Sequence, residues 1–312
     1  MHCVCNRGNG GAIYIEVDLT TQFEFQIKDA LIKECQAKTN ITSSYPTGYG
    51  GGIFLSGIGD YDPYSNSLNF KGLNISNNSV DNRKQSIYII MSKLKEWCRY
   101  GTAGEFVKGN YSDTDSNENE LQGIPISFEQ FLSLPSDQIQ LIQKPLEYYW
   151  ALPQYDIWHI QSGTAQTIIS EDQQWCGNID EPCESIEYAL KQISIRKGGN
   201  ETYYISHKII GITEVGFELT NPFEFNPVTT QTNHLIIANQ LFGTSSAMID
   251  KSLLKIMKGG NDSNIENGKQ GWISLIQQGL IFKLYFINIV TDQSKLTIPI
   301  IYIEGSDSYV DL

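Results

Sequence analysis

The residues with the clearest chemical potential are acids. Asp60 and Asp62 lie next to a strand-like apolar run, a placement from which both could face one groove. Acids clustered on neighbouring strands are what polysaccharide cleavage uses, either as an acid/base pair or around calcium. The competing reading is a solvated loop. A second acidic run, Asp113, Asp115, Asn117 and Asn119, alternates like the start of a calcium loop. Such a loop needs glycine at its sixth position and glutamate at its twelfth, where this chain has Glu118 and Ile124. A disordered acidic linker accounts for the run as well.

The chain has six cysteines, Cys3, Cys5, Cys35, Cys98, Cys176 and Cys183, and none forms a C-x-x-C pair. The four histidines, His2, His159, His207 and His234, lie far from any tight cysteine pair, which argues against zinc. Cys176 and Cys183 flank a Gly-Asn turn and are read as a small disulfide loop, with two buried thiols as the alternative. Gly48 to Gly52 lacks the Gly-Lys-Ser/Thr of a phosphate loop, and no serine or cysteine sits in a nucleophile elbow. This reading assigns no catalytic residue, cofactor or metal. The aromatic cluster Tyr148, Tyr149, Trp150, Tyr155 and Trp158 has two readings, stacking on sugar rings or packing a segment onto a module end.

The elements that position these residues are repetitive. Residues 8–14 read Gly-Asn-Gly-Gly-Ala-Ile-Tyr and residues 48–54 read Gly-Tyr-Gly-Gly-Gly-Ile-Phe, 40 positions apart. A third copy, Ser86-Ile87-Tyr88-Ile89, keeps the apolar order without the glycines. Gly10, Gly11, Gly50 and Gly51 are the expected corner residues, where positive φ is needed. In a solenoid Ile13, Ile53 and Ile87 would line one interior ladder, and Tyr14, Phe54 and Tyr88 would stack on the other side of the strand. The expectation is all-β, in two partial modules joined by a mixed spacer. Residues 1–98 form a first module, cut short at its N-terminus. Residues 99–172 form an acidic, proline-punctuated spacer with local helix at 128–143. Residues 173–312 form a second module, cut short at its C-terminus. In that module Pro182 falls in the first turn of a helix carrying Ile186, Ala189, Leu190 and Ile193, and strands follow at 202–212, 214–219, 234–238, 253–257, 272–276, 280–290 and 297–304.

The Gly-Gly-Ala-Ile and Gly-Gly-Gly-Ile runs resemble the GGA[ILV] half of polymorphic outer-membrane-protein repeats. The FxxN half is weak, since Ile75-x-x-Asn78 keeps the spacing without the Phe. Trp175-Cys-Gly through Pro182-Cys-Glu-Ser-Ile, with the spacer segments Gly109 to Asp113 and Glu120 to Pro125, is similar to β-helix domains of large surface proteins from unicellular eukaryotes. Together the resemblance touches about half the chain. It implies a pectate-lyase-like, right-handed parallel β-helix at the cell surface and no defined activity. The Asn-Thr-Asp, Asp-Asp, Gly-His-Gly and Arg-Ile-Lys signatures of polygalacturonase-type members are absent.

Composition fits a surface setting. The net charge is −13 and the pI about 4.7, which argues against a nucleic-acid partner and against docking on anionic lipid. Sequons at Asn40, Asn74, Asn77, Asn110, Asn200 and Asn261 point to an extracellular setting. No apolar run spans a membrane, and no secretory signal opens the sequence, so a fragment of a longer surface protein is expected. Three functions follow: adhesion or display with a glycan or protein ligand, carbohydrate cleavage, and a structural stalk.

Overall fold

The computed structural model describes residues 3–21, 23–27, 30–59, 61–62, 65, 67–100, 104–107, 118–162, 170–242, 244, 252–256, 271–291 and 298–311. It is mostly strands with few helices, and its sheets are predominantly parallel. The chain divides into two compact units, Met1–Ala151 and Leu152–Leu312.

In the first unit the repeated motif sets the register. Strands Ile13–Asp18, Ile53–Ile58, Ile87–Ile90 and Leu121–Ile124 pair side by side in parallel, with Ile13, Ile53, Ile87 and Leu121 in one row. Strand alternation turns that row into the interior, where Ile53, Ile87 and Leu121 are buried with Leu55 and Ile89. The next row, Tyr14, Phe54 and Tyr88, faces the opposite side. Tyr14 stacks on Phe54 at 5.2 Å between centroids and Phe54 on Tyr88 at 6.3 Å, with rings within 15° of parallel. Phe131 and Ile139 of helices Phe128–Ser133 and Ser136–Ile142 bury Phe54 and Tyr88, while Tyr14 at the end of the row is exposed. Ser127 caps the first of these helices through a capping box with Gln130.

Three further sets of short strands repeat the arrangement. Phe25–Gln26 pairs with Leu68–Asn69, and Leu31–Lys33 with Asn74–Ser76. Val4–Cys5, Gln36–Ala37 and Ser79–Val80 form another parallel row. At its corner Asn78 is fully buried. It accepts from the Cys35 amide at 2.9 Å and donates to the Ile32 carbonyl and Ser86 Oγ at 3.1 Å. Ser86 in turn donates to the buried Glu120 at 2.6 Å. The asparagine of the degenerate FxxN pattern is therefore a bracket between neighbouring copies.

In the second unit Ile157–Ile160, Lys208–Ile212, His234–Asn239, Ile281–Tyr285 and Tyr309–Asp311 form one parallel sheet. Phe217–Leu219, Ser252–Ile256 and Ile287–Thr291 form a second, and Phe223–Phe225, Ile273–Leu275 and Ile301–Ile303 a third. The expected strand 280–290 is two strands on different sheets, split at Phe286, whose φ of 57° turns the corner. Of the expected 202–212 only Lys208–Ile212 is strand.

The stretch 99–172 contains the unit boundary and contributes to both sides of it. Leu121–Ile124 continues the first sheet, the helices cover that sheet, and Ile157–Ile160 opens the sheet of the second unit. Pro182 lies outside the helix, which runs Ile186–Gly198 behind Ser185, whose side chain accepts from the Tyr188 amide. Cys183, bridged to Ile160, keeps the chain extended there. Ile186, Ala189, Leu190 and Ile193 are buried against Trp158, Ile160 and Ile210, as their spacing predicts.

The glycines divide by mechanism. Gly10 and Gly50 have φ of 72° and 65°. Gly51 has no such angle, but a Cβ there would fall on the backbone of Ser79 in the neighbouring copy. Gly199, the helix C-cap, has φ of 81° and open space around it. Gly51→Ala is expected to cost ~3 kcal/mol in urea unfolding and Gly199→Ala ~1 kcal/mol, since only the first forces packed backbone apart. Equal costs would show that the close approach at Gly51 carries no energy.

Candidate functional site

The first unit carries an open groove of about 990 Å³ beside the repeated strands. One wall is the loop and strand start after Ile13–Asp18, with Leu19, Thr20, Thr21, Phe23, Glu24 and Gln26. The other is the loop after Ile53–Ile58, with Asp62, Ser65 and Ser67. Local hydrogen bonds fix both loops. Asp18 accepts from the Thr20 amide at 2.9 Å and hydroxyl at 2.6 Å, and these bonds hold its carboxyl below the ordinary value. Ser65 donates to the Asp62 carbonyl at 2.7 Å and shares a bond with Ser67 at 2.8 Å. The Gln26 amide donates to Glu24. Beneath the loops Tyr61 is buried, with its hydroxyl 3.4 Å from the Leu68 amide.

The lining offers hydroxyls, an amide, two carboxylates and the apolar surfaces of Leu19 and Phe23. It suits a ligand rich in hydroxyl groups, and among the described residues it contains no Lys or Arg. Of the acids singled out by sequence, Asp62 stands in this groove, exposed, with Glu24 in the opposite wall. Asp60 lies outside the described residues, as do Asp113, Asp115 and Asn117 of the acidic run. Among the described residues no three His, Cys, Asp or Glu side chains come together as a metal site.

A smaller groove of about 460 Å³ lies on the second unit between the start of helix Ile186–Gly198 and strands Phe217–Leu219 and Phe223–Phe225. The helix start is already occupied by Asp172, which accepts from the amides of Glu184 and Ser185 at 2.9 Å and from the Ser185 hydroxyl at 2.6 Å.

The remaining candidates separate. Cys176 and Cys183 are joined as a disulfide, while Cys3, Cys5, Cys35 and Cys98 are thiols. The aromatic cluster is not one patch. Tyr148, Tyr149 and Trp150 pack on the core of the first unit, and Trp158 is fully buried in the second. Tyr155 is exposed at φ 57°. Trp158 and Trp175 sandwich the Arg196 guanidinium, each ring centroid 4.8 Å away. Among the sequons Asn77 and Asn200 are exposed and Asn40 and Asn74 half-buried. Asn110 and Asn261 lie outside the described residues.

Two buried ionisable groups escaped the sequence reading. His159 places Nδ1 3.1 Å from the Gly177 carbonyl and Nε2 3.4 Å from that of Gln240, and burial pushes its pKa down. Lys208 is 1% exposed and donates to the Leu190 carbonyl at 3.1 Å and to Ser194 Oγ at 2.8 Å. Burial, with Lys197 nearby, lowers its pKa to about 8. Its position was readable, because Lys208 shares strand parity with the core residues Ile210 and Ile212.

The chain matches no protein-family model, no curated protein and no solved structure. No described helix is long and apolar enough to cross a membrane.

The Lys208 shift gives a signed pH dependence. Between a folded pKa of about 8 and an ordinary value of 10.5, the unfolded chain holds a proton that the folded chain has shed. The stability penalty is full below pH 8 and vanishes above 10.5. Stability of the unaltered chain relative to Lys208→Met is therefore expected to rise by about 2 kcal/mol from pH 7.5 to 9.5, measured by urea unfolding at each pH. A difference that is flat or falls with pH would mean that the amine is solvated.

Proposed function

We propose that this chain is a stretch of right-handed parallel β-helix displayed at a cell surface, and that it binds a glycan or protein partner without altering it. The observation that carries this reading is the register. Equivalent residues stand side by side through four successive parallel strands in one unit and five in the other, and shorter strands repeat the order on further faces. Pairing of this kind is what a winding chain produces, and parallel crossovers of one hand dominate in proteins. The bound Cys176–Cys183 pair and the exposed sequon asparagines Asn77 and Asn200 support an oxidising, extracellular location.

Within this reading the groove between the Thr20–Glu24 and Asp62–Ser67 loops is the binding face. Its hydroxyls and carboxylates match the hydrogen-bonding groups of sugars, and Phe23 supplies an apolar surface for a ring. Glu24 and Asp62 in one groove also favour a second reading, cleavage of a bound polysaccharide. A glycan array probed with the purified chain, with and without calcium, separates the readings when released reducing sugar is measured on every hit. Binding without product, weakened at least tenfold by Glu24→Gln with Asp62→Asn, is the expected result. Product formation would replace the adhesin with the enzyme. Absence of any binding would leave a structural stalk.

A further inference from the structure

We propose that Cys3 and Cys35 are a second disulfide site, one that staples the first strand of the chain to its parallel neighbour. Val4 is paired with Gln36 and Cys5 with Ala37 in parallel, so the same register sets Cys3 opposite Cys35. The Gln36 amide donates to the Cys3 carbonyl at 2.8 Å, which fixes the two backbones at this position. Paired parallel strands hold facing Cα atoms about 4.8 Å apart, inside the roughly 4.4–6.8 Å that a disulfide spans. Both side chains pack on the same core, Cys35 at 2% exposure and Cys3 half-buried, and the Cys3 thiol is close enough to perturb that of Cys35.

Cys5 is the competing partner for Cys3. It sits two residues along the same extended strand, which places its Cα about 6.6 Å away, at the far limit for a bridge. Directly across the strand pair Cys5 faces Ala37, which has no sulfur.

The reaction needs a disulfide oxidant such as oxidised glutathione. The more accessible Cys3, as thiolate, attacks one sulfur of the oxidant. A protein–glutathione disulfide forms and one glutathione thiolate leaves. Cys35, as thiolate, then attacks Cys3 Sγ. The Cys3–Cys35 bond forms, the second glutathione leaves as thiolate and takes up the proton that Cys35 gave up. Two electrons pass from the protein dithiol to the oxidant. Burial raises the Cys35 thiol pKa, which makes Cys35 the resolving group rather than the first attacker.

The test uses the folded 312-residue chain equilibrated with oxidised glutathione. Remaining thiols are alkylated in denaturant, and the chain is cut with trypsin without reduction. The sequence places Cys3 and Cys5 together in fragment Met1–Arg7 and Cys35 in Glu34–Lys38. The expected product is these two fragments joined, separable by reduction, and formed equally in Cys5→Ala. In Cys35→Ala, Cys3 should stop at the glutathione mixed disulfide. An internal Cys3–Cys5 bridge, loss of the link in Cys5→Ala, or recovery of Cys35 fully alkylated would overturn the proposal. Should Cys35→Ala fail to fold, the unaltered chain and Cys5→Ala decide it alone.

Discussion

The controlling constraint is the spacing between parallel strands, about 4.8 Å, which every neighbouring copy of the repeat must respect at each position. Hydrogen bonds run from one copy to the next, so a residue is stabilised by its counterpart in the neighbouring strand rather than by its neighbours in sequence. This explains the rows: Ile on Ile inside, and aromatic on aromatic at Tyr14, Phe54 and Tyr88. It also explains the corners. Backbone must pass backbone at the same short spacing, which leaves no room for a Cβ at Gly11 against Gly51 or at Gly51 against Ser79. Where a corner carries a side chain, as at Asn78, all its polar atoms are bonded into adjacent copies.

The first ladder was legible in sequence because glycine corners precede two of its strands and an Ile-aromatic pair marks all three. The fourth strand, Leu121–Ile124, was not. It stands 34 positions after Ile87 but has Gln122 and Gly123 where earlier copies have an aromatic and an apolar residue. The glycine has a cause: a Cβ at Gly123 would meet Leu94 and Leu146, which close the core there. The acidic run and the prolines at 125, 135, 145 and 153 suggested a spacer. Pro125 and Pro135 precede the two short helices that cover the first unit's sheet, and Pro145 ends the short strand Lys144–Pro145 that follows them. Phe223–Phe225 was missed for a similar reason, as Pro222 and Pro227 flank three strand residues too few to show alternation.

The polar interior shows how the second unit begins. Helix Ile186–Gly198 packs on strands Ile157–Ile160 and Lys208–Ile212. Lys208 meets the Leu190 carbonyl and Ser194, and Ser194 donates to Gln231 at 2.8 Å. Outside, Lys197 pairs with Asp156, and Arg196 lies between Trp158 and Trp175. The outer edge of the first strand is met by the disulfide loop, where the His159 amide donates to the Gly177 carbonyl at 2.8 Å and the Cys183 amide to the His159 carbonyl at 2.9 Å, and the long cations tie the helix to the sheet. Sequence periodicity locates such a helix, and strand parity marks Lys208 as inward-facing, but neither shows which helix groups the cations reach.

The candidate groove follows from the same spacing rule. Ile13 and Ile53 are 40 residues apart, whereas Phe25 and Leu68, on the following strands, are 43 apart. The second copy therefore carries three more residues between its strands, in the loop holding Asp62, Ser65 and Ser67. Strand registers cannot absorb them without moving apolar residues out of the core, so the surplus leaves at the corner. It leaves next to the shorter loop holding Thr20 and Glu24, and the mismatch in length opens the groove between them. In such a scaffold the binding surface is where repeat length varies, and the strands hold it without taking part.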